Sequence, residues 1–235
     1  QNKLKSQKEK LQLEYQLKDL EHKALTLQMN PHFISNTLSA ISSFISRNNT
    51  TAAKEFLEKF GTLMRQILES SSKELIKLEE ELEIITSYLE LEQMSYGNKF
   101  NFTVDVSKSV ETELISIPPM LIQPYIENAI IHGLAPKTEN GKVAVKFYNK
   151  EDKIYCEVTD NGIGREKSAE IKQSLNITRR SMAMEITQKR LEILKNKKKY
   201  SINIAVEDLK ESTTNSIAGT RVIFEIPMME YKTIA

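Results

Sequence analysis

The chain has 235 residues, enough for one large domain or two small ones, and its 33 Lys and Arg nearly balance 32 Asp and Glu. The resulting net charge of +1 gives no electrostatic case for a nucleic-acid partner. A single cysteine, Cys156, excludes an internal disulfide and suits a reducing compartment, and no apolar run reaches the roughly 20 residues of a membrane span.

In chain order, the first 96 residues read as helix. Leu13, Leu17, Leu20, Ala24 and Leu27 alternate spacings of four and three, and the register continues through Pro31, Ile34, Leu38, Ile41 and Ile45 as a heptad seam. A break at 48–51 precedes a second helix with Ala53, Phe56, Leu57, Phe60, Leu63, Met64, Ile67 and Leu68 on one side. One such pair buries little, so a homodimer completing a four-helix bundle is expected, the alternative being an intramolecular coiled hairpin. Residues 73–96 read as a third helical segment with an acidic start that suits the helix dipole.

Gly97 ends that pattern, and a boundary is expected there: a helical dimerisation region over 1–96 and a second domain over 97–235. From Phe100 the runs FNFTVDV, VAVKFYN, KIYCEVTD, YSINIAVED and GTRVIFEIP alternate or run apolar as strands do. Helical stretches are expected near 119–133 and 181–196, giving a sheet with helices packed on one face. Residues 165–180 are polar and aperiodic and read as a mobile loop long enough to be a lid. Cys156 falls inside a strand as a small core residue. The opening at Gln1, already in a charged helical pattern, leads us to expect a piece of a longer protein whose membrane-anchored or sensory part lies upstream.

The chemistry concentrates in IENAIIHG (126–133) and DNGIG (160–164), with NPHF (30–33) far upstream. Asn128 and His132 are four apart, so on a helix they share a face. Asn128 offers a neutral oxygen to Mg²⁺, an ion that prefers oxygen donors and keeps several waters. His132 can contact phosphate oxygens, and Glu127 can hydrogen-bond a metal-bound water or act as a base. Asp160 can accept from an exocyclic amine, while Gly162 and Gly164 allow close backbone approach to a ligand. Gly219-Thr220 opens the last strand and supplies a hydroxyl. Each feature alone is an ordinary helix face or turn; their order is what points to a magnesium-bound nucleotide.

Pro31 disfavours helix at Asn30, so the helix either kinks there or restarts with Asn30 as cap and Pro31 as first residue. His32 lies off the heptad seam, exposed, and in the second case near the positive end of a helix dipole that keeps its imidazole neutral and nucleophilic. His22 lacks such context, and the three histidines form no metal cluster.

Together these strings resemble the LytS/YehU-type sensor histidine kinases, whose phosphoacceptor region carries N-P-H-F-x-x-N and whose catalytic domain is of the GHKL (Bergerat) type. LQMNPHFISNTLSAI (27–41) is similar to the phosphoacceptor box, LEEELEIITSYLELEQ (78–93) to the connecting helix and IPPMLIQPYIENAIIHG (117–133) to the N-box. DNGIG is similar to the adenine-binding box, ITQKRLEIL (186–194) to the helix behind the lid and GTRVIFEIP (219–227) to the closing strand. Ser35, Ser95 and Ala183 stand where the family usually has an aromatic residue, an arginine and a glycine.

The resemblance implies an α+β fold: a dimerising helical hairpin or coiled coil, then a GHKL α/β sandwich. It implies ATP and Mg²⁺ as cofactors, His32 as the autophosphorylated residue, Asn128 as magnesium ligand and Asp160 as adenine contact, with Gly162 and Gly164 shaping the pocket. Arg179 and Arg180 in the lid are candidates to clamp the γ-phosphate. The implied partners are a second copy and the receiver aspartate of a response regulator, in the cytoplasmic portion of a membrane-anchored sensor. Two other readings compete: a degenerate kinase acting as a nucleotide-gated dimeric scaffold, and a GHKL ATPase.

Overall fold

The computed structural model describes residues 31–136, 140–174, 184, 187–189, 191–192, 202–210 and 217–228, with the backbone alone at Pro31, His32 and 172–174. Three helices come first, α1 (Pro31–Ser46), α2 (Thr50–Ser71) and α3 (Leu78–Ser95). The expected break at 48–51 is built from two asparagines. Asn48 takes φ 55° and donates to Ile45 O (2.9 Å), while Asn49 N–H reaches Phe44 O (2.9 Å), the paired bonds of a left-handed helix end. The Asn49 side chain then caps α2 by accepting from Ala52 N–H (3.1 Å). α2 and α3 run antiparallel: Lys59 meets Glu90 (2.7 Å), and seven residues on, Gln66 meets Glu83 (3.2 Å), seven residues back.

The third helical segment is shorter than 73–96. Ile76–Lys77 form a strand, β1, paired antiparallel with β3 (Ser116–Ile117), and Leu78 N–H donates to Ile115 O (2.8 Å). A partner strand distant in sequence, not local propensity, sets where the helix begins. α3 ends as the glycine foretells: Gly97 has φ 62°, and Asn98 N–H closes on Gln93 O (2.9 Å).

The heptad seam divides along α1. Phe33, Thr37 and Ala40 face the interior, whereas Leu38 and Ile45 on the seam are 60% and 56% exposed, as are Leu57 (49%) and Leu68 (47%) on α2. The seam residues 13–27, His22 and the capping role of Asn30 lie outside the described residues, as does the exposure of His32.

Five strands form one sheet in the order β2 (Phe100–Val106), β4 (Gly141–Lys150), β5 (Lys153–Asp160), β7 (Ile217–Pro227), β6 (Asn203–Lys210). β2 runs parallel to β4 and every other pairing is antiparallel. All five coincide with the sequence runs, because alternation fixes which residues face inward. The registers line up Val145, Val158 and Val222 in one row and Phe147, Cys156 and Phe224 in the next. Cys156 is fully buried between its register partners Phe147 and Phe224, and burial pushes its thiol pKa well up.

The helix expected over 119–133 is α4 (Gln123–Asn128), with Pro124 in its first turn, continuing as a π-helical turn over Ala129–Leu134. It packs on β4, β5 and β7, with the Tyr125 ring edge-on to Phe224 (4.9 Å). The expected loop over 165–180 is corrected: Arg165–Ser174 is a helix, α5. Its residues form helix well but carry only Ala169 and Ile171 as apolar members, so no stripe betrays it. The fold class is the expected one, helices followed by an α/β sandwich. One buried apolar cluster runs from Phe33 through α3 to Ile226. Among the described residues no helix is long and apolar enough to cross a membrane.

Candidate functional site

The strand end of β5 delivers Asp160 to a turn that is packed backbone on backbone. Asp160 Oδ1 accepts from Gly162 N–H (2.8 Å), and Ile163 N–H donates to Gly133 O (3.1 Å) at the end of the π-helical turn. A Cβ at Gly162 would lie 2.5 Å from the Gly133 backbone, and one at Gly133 would lie 2.9 Å from Asp160 Oδ1. The Asn161 side chain fastens the same turn to β4, accepting from Lys142 N–H (2.7 Å) and donating to Asn140 O (2.9 Å). Gly164, at φ 78°, then turns the chain into α5.

Beside this turn opens a cavity of about 580 Å³, within the range that holds a small-molecule cofactor. Of the sequence candidates, Asn128, His132, Asp160, Gly164 and Thr220 line it. They come from α4, the π-helical turn, the end of β5, the glycine turn and β7. Asp160 and Thr220 are register partners, and Thr220 in turn faces Asp208 of β6, so three polar residues cross one end of the sheet. Asp208 grips α5 through Arg165, whose Nε and Nη2 both reach the carboxylate (3.1 and 2.8 Å). The guanidinium holds the Asp208 carboxyl below its usual pKa.

Three candidates sit elsewhere. Glu127 is buried, accepts from Gln123 Nε2 (3.2 Å) and acts on the Tyr88 phenol of α3. It does not line the cavity, whereas its helix neighbour Asn128 does, since neighbours on a helix diverge by roughly 100°. Gly162 is not on the wall either; its missing side chain admits Gly133. Gly219, at φ 144°, admits the Asp160 carbonyl, whose oxygen a Cβ would meet at 1.9 Å. Both glycines admit neighbouring backbone beneath the cavity. His32 lies in the first turn of α1, and Arg179, Arg180 and Ala183 lie outside the described residues.

Sequence reasoning missed Tyr125, Gly133, Arg165, Ser168, Met184 and Gln188, all on the cavity wall. Gly133 had a signal in the His-Gly pair. A π-helical turn bonds five residues apart, as Ala135 N–H does to Ile130 O (2.8 Å), and so brings Gly133 as well as His132 under Asn128. Met184 Sδ stands 2.6 Å from Asn128 Nδ2 across the opening.

The residues present fit a magnesium nucleotide in one particular way. No group of three or more His, Cys, Asp or Glu side chains among the described residues could hold a metal by itself. An ion here would be carried chiefly by phosphate oxygens and water, with the Asn128 amide oxygen as the protein's ligand, which is how Mg²⁺ is commonly bound.

Residues 20–100 match a family model described as histidine kinase. Over 148 residues the chain is 35% identical to the Sensor protein LytS of Enterococcus faecalis and 36% identical to that of Staphylococcus saprophyticus, alignments that take in 63% of this chain. It is 35% identical over 144 residues, 61% of its length, to the Sensor histidine kinase YpdA of Escherichia coli. The chain spans about a quarter of the length of these curated relatives (25%, 24% and 25%). The solved histidine kinase domain of a blue-light activated kinase from Erythrobacter litoralis covers 89% of this chain and 94% of its own at 14% identity and a TM-score of 0.47, too loose to add to the fold seen directly.

Proposed function

We propose that this chain is a histidine kinase of LytS type and forms the ATP-dependent kinase core of a two-component sensor. His32 is the residue phosphorylated, and the phosphoryl group passes on to an aspartate of a response regulator. The observation that carries this reading is the cavity itself, where Asn128, His132, Asp160, Gly164 and Thr220 converge from five separate segments.

In this reading Asp160 selects the base, Asn128 ligates magnesium, and His132 attends the phosphates. Magnesium when bound neutralises phosphate charge, and positioning supplies most of the remaining help in phosphoryl transfer. The chain's own work is therefore orientation: the cavity and the first turn of α1 must meet so that an imidazole nitrogen stands about 3–3.5 Å from the γ-phosphorus. The helical region over 1–96 is proposed to dimerise through the seam that leaves Leu38, Ile45, Leu57 and Leu68 outward, and 97–235 to be the catalytic domain. Within a membrane-anchored sensor it belongs on the cytoplasmic side, where ATP and a response regulator are found.

The test is incubation with γ-labelled ATP and magnesium. The wild type should take an acid-labile, alkali-stable label, His32→Ala should take none while binding nucleotide as before, and Asp160→Asn should lose nucleotide. Label persisting on His32→Ala would overturn the acceptor assignment. Tight nucleotide binding with no label in the wild type would favour a scaffold instead.

A further inference from the structure

Beneath α1 lies a buried acid that nothing in the reading above uses. Glu92 of α3 is 0% exposed, and its Oε2 has no hydrogen-bond partner. Its other oxygen accepts from Tyr88 Oη (3.1 Å), and Tyr88 is itself fully buried. The Tyr88 ring packs on Phe33 at 5.0 Å between centroids, and Phe33 follows His32 in the chain. On the other side, Tyr96 feels the Glu92 charge and hydrogen-bonds Asn36, one turn beyond His32. Glu92 thus stands behind both tyrosines that hold the first two turns of α1.

Among the described side chains no cation is placed against it; that of His32, in the first turn of α1, lies outside them. From Phe33 to Ser46, α1 carries no ionisable side chain. α2 presents Lys59, which is bound to Glu90 (2.7 Å), and α4 presents Glu127, close to Tyr88. Tyr96 follows α3, and β2 contributes Phe100, edge-on to Tyr96. An ionised carboxylate in such a place must draw in water or part the helices, since an unpaired buried charge is costly. Protonated, it keeps the Tyr88 bond and leaves the packing closed. Burial accordingly pushes its pKa up to about 7, against a smaller downward pull from the Tyr88 hydroxyl.

We propose that Glu92, acting through Tyr88 and Tyr96, is the positioning residue that seats the phosphoacceptor helix, and that it does so only while uncharged. This rests on the kinase reading above, because the seat matters for transfer to His32. Ionisation of Glu92 loosens the hold on Phe33 and Asn36 without touching the nucleotide cavity.

The experiment measures autophosphorylation and nucleotide binding of the whole chain across pH. The wild-type rate should fall about tenfold per pH unit above about 7 while binding stays level. Glu92→Gln still accepts from Tyr88 but cannot ionise, so the fall should disappear. Tyr88→Phe keeps the ring on Phe33 and removes the hydroxyl that lowers the Glu92 pKa, so the fall should move to higher pH. An E92Q profile that falls like the wild type overturns the inference alone, and so does an unmoved profile in Y88F. The Y88F result decides the matter if E92Q does not fold. A wild type that binds nucleotide yet takes no label at any pH overturns the kinase reading and this inference with it.

Discussion

Gly162→Ala is the sharpest probe of how the cavity is held. The added methyl would sit 2.5 Å from the carbonyl carbon, the Cα and the oxygen of Gly133, where carbon contacts settle near 3.5–4.0 Å. The turn must therefore retreat by about 1 Å, and what would have to yield is backbone rather than a flexible side chain. Retreat stretches the Ile163 N–H bond to Gly133 O (3.1 Å) and the Gly162 N–H bond to Asp160 Oδ1 (2.8 Å). Two such bonds weakened by part of their roughly 1 kcal/mol each, plus about 1–3 kcal/mol for overpacking, place the loss near 3 kcal/mol. In a protein of this size that lowers Tm by roughly 6–12 °C. Nucleotide affinity should fall further than stability, since the same turn carries Asp160 and Gly164 to the cavity. Calorimetric melting and ATP titration of the variant check both numbers. An unchanged Tm together with unchanged ATP affinity would refute the backbone packing on which the site is built.

Gly61→Ala, by contrast, meets nothing within 4 Å in the middle of α2 and should stabilise the chain by roughly 1 kcal/mol, read as a higher midpoint in urea. Cys156 should resist alkylation in the folded protein and react once per chain in denaturant, as its full burial and raised pKa require; fast native labelling would show the sheet opening. The folded state binds the Glu92 proton more tightly than the unfolded chain, so its contribution is intact below about pH 4.5 and lost as pH rises to about 7. The loss amounts to roughly 3 kcal/mol at one unit per 1.36 kcal/mol, and the stability difference between wild type and Glu92→Gln should trace it in denaturant melts at successive pH values.

The strands were legible because alternation ties each residue to a face: that Val158 and Cys156 share one side of the sheet follows from period two, while the rows they stand in depend on register. The cavity wall was legible at Asn128, Asp160 and Thr220, sequence candidates that all line it. Glycines were only half legible. A sequence shows where side chains are missing but not what fills the space: Gly162, read as room for close approach to a ligand, admits the Gly133 backbone, and Gly219, read only as opening the last strand, admits the Asp160 carbonyl. Glu127 shows the same limit, since one step along a helix separates its buried side chain from the cavity-lining Asn128. β1 and β3 were invisible because two-residue strands leave no pattern, and each exists only through the other. α5 escaped because it carries no apolar stripe; its Arg165 is instead paired with Asp208 of β6.

α3 has no idle flank. Ile84, Tyr88 and Leu91 bury one set of side chains, Glu81, Ile85, Leu89 and Glu92 another, and the helix touches α1 and α2 as well as β1, β2 and β3. A rod gripped along its whole length carries torque without slack. A twist applied to the helical hairpin thus has a packed route to the first strand of the sheet and, through the Glu81 carboxylate that accepts from Met120 N–H (2.9 Å), to the approach to α4.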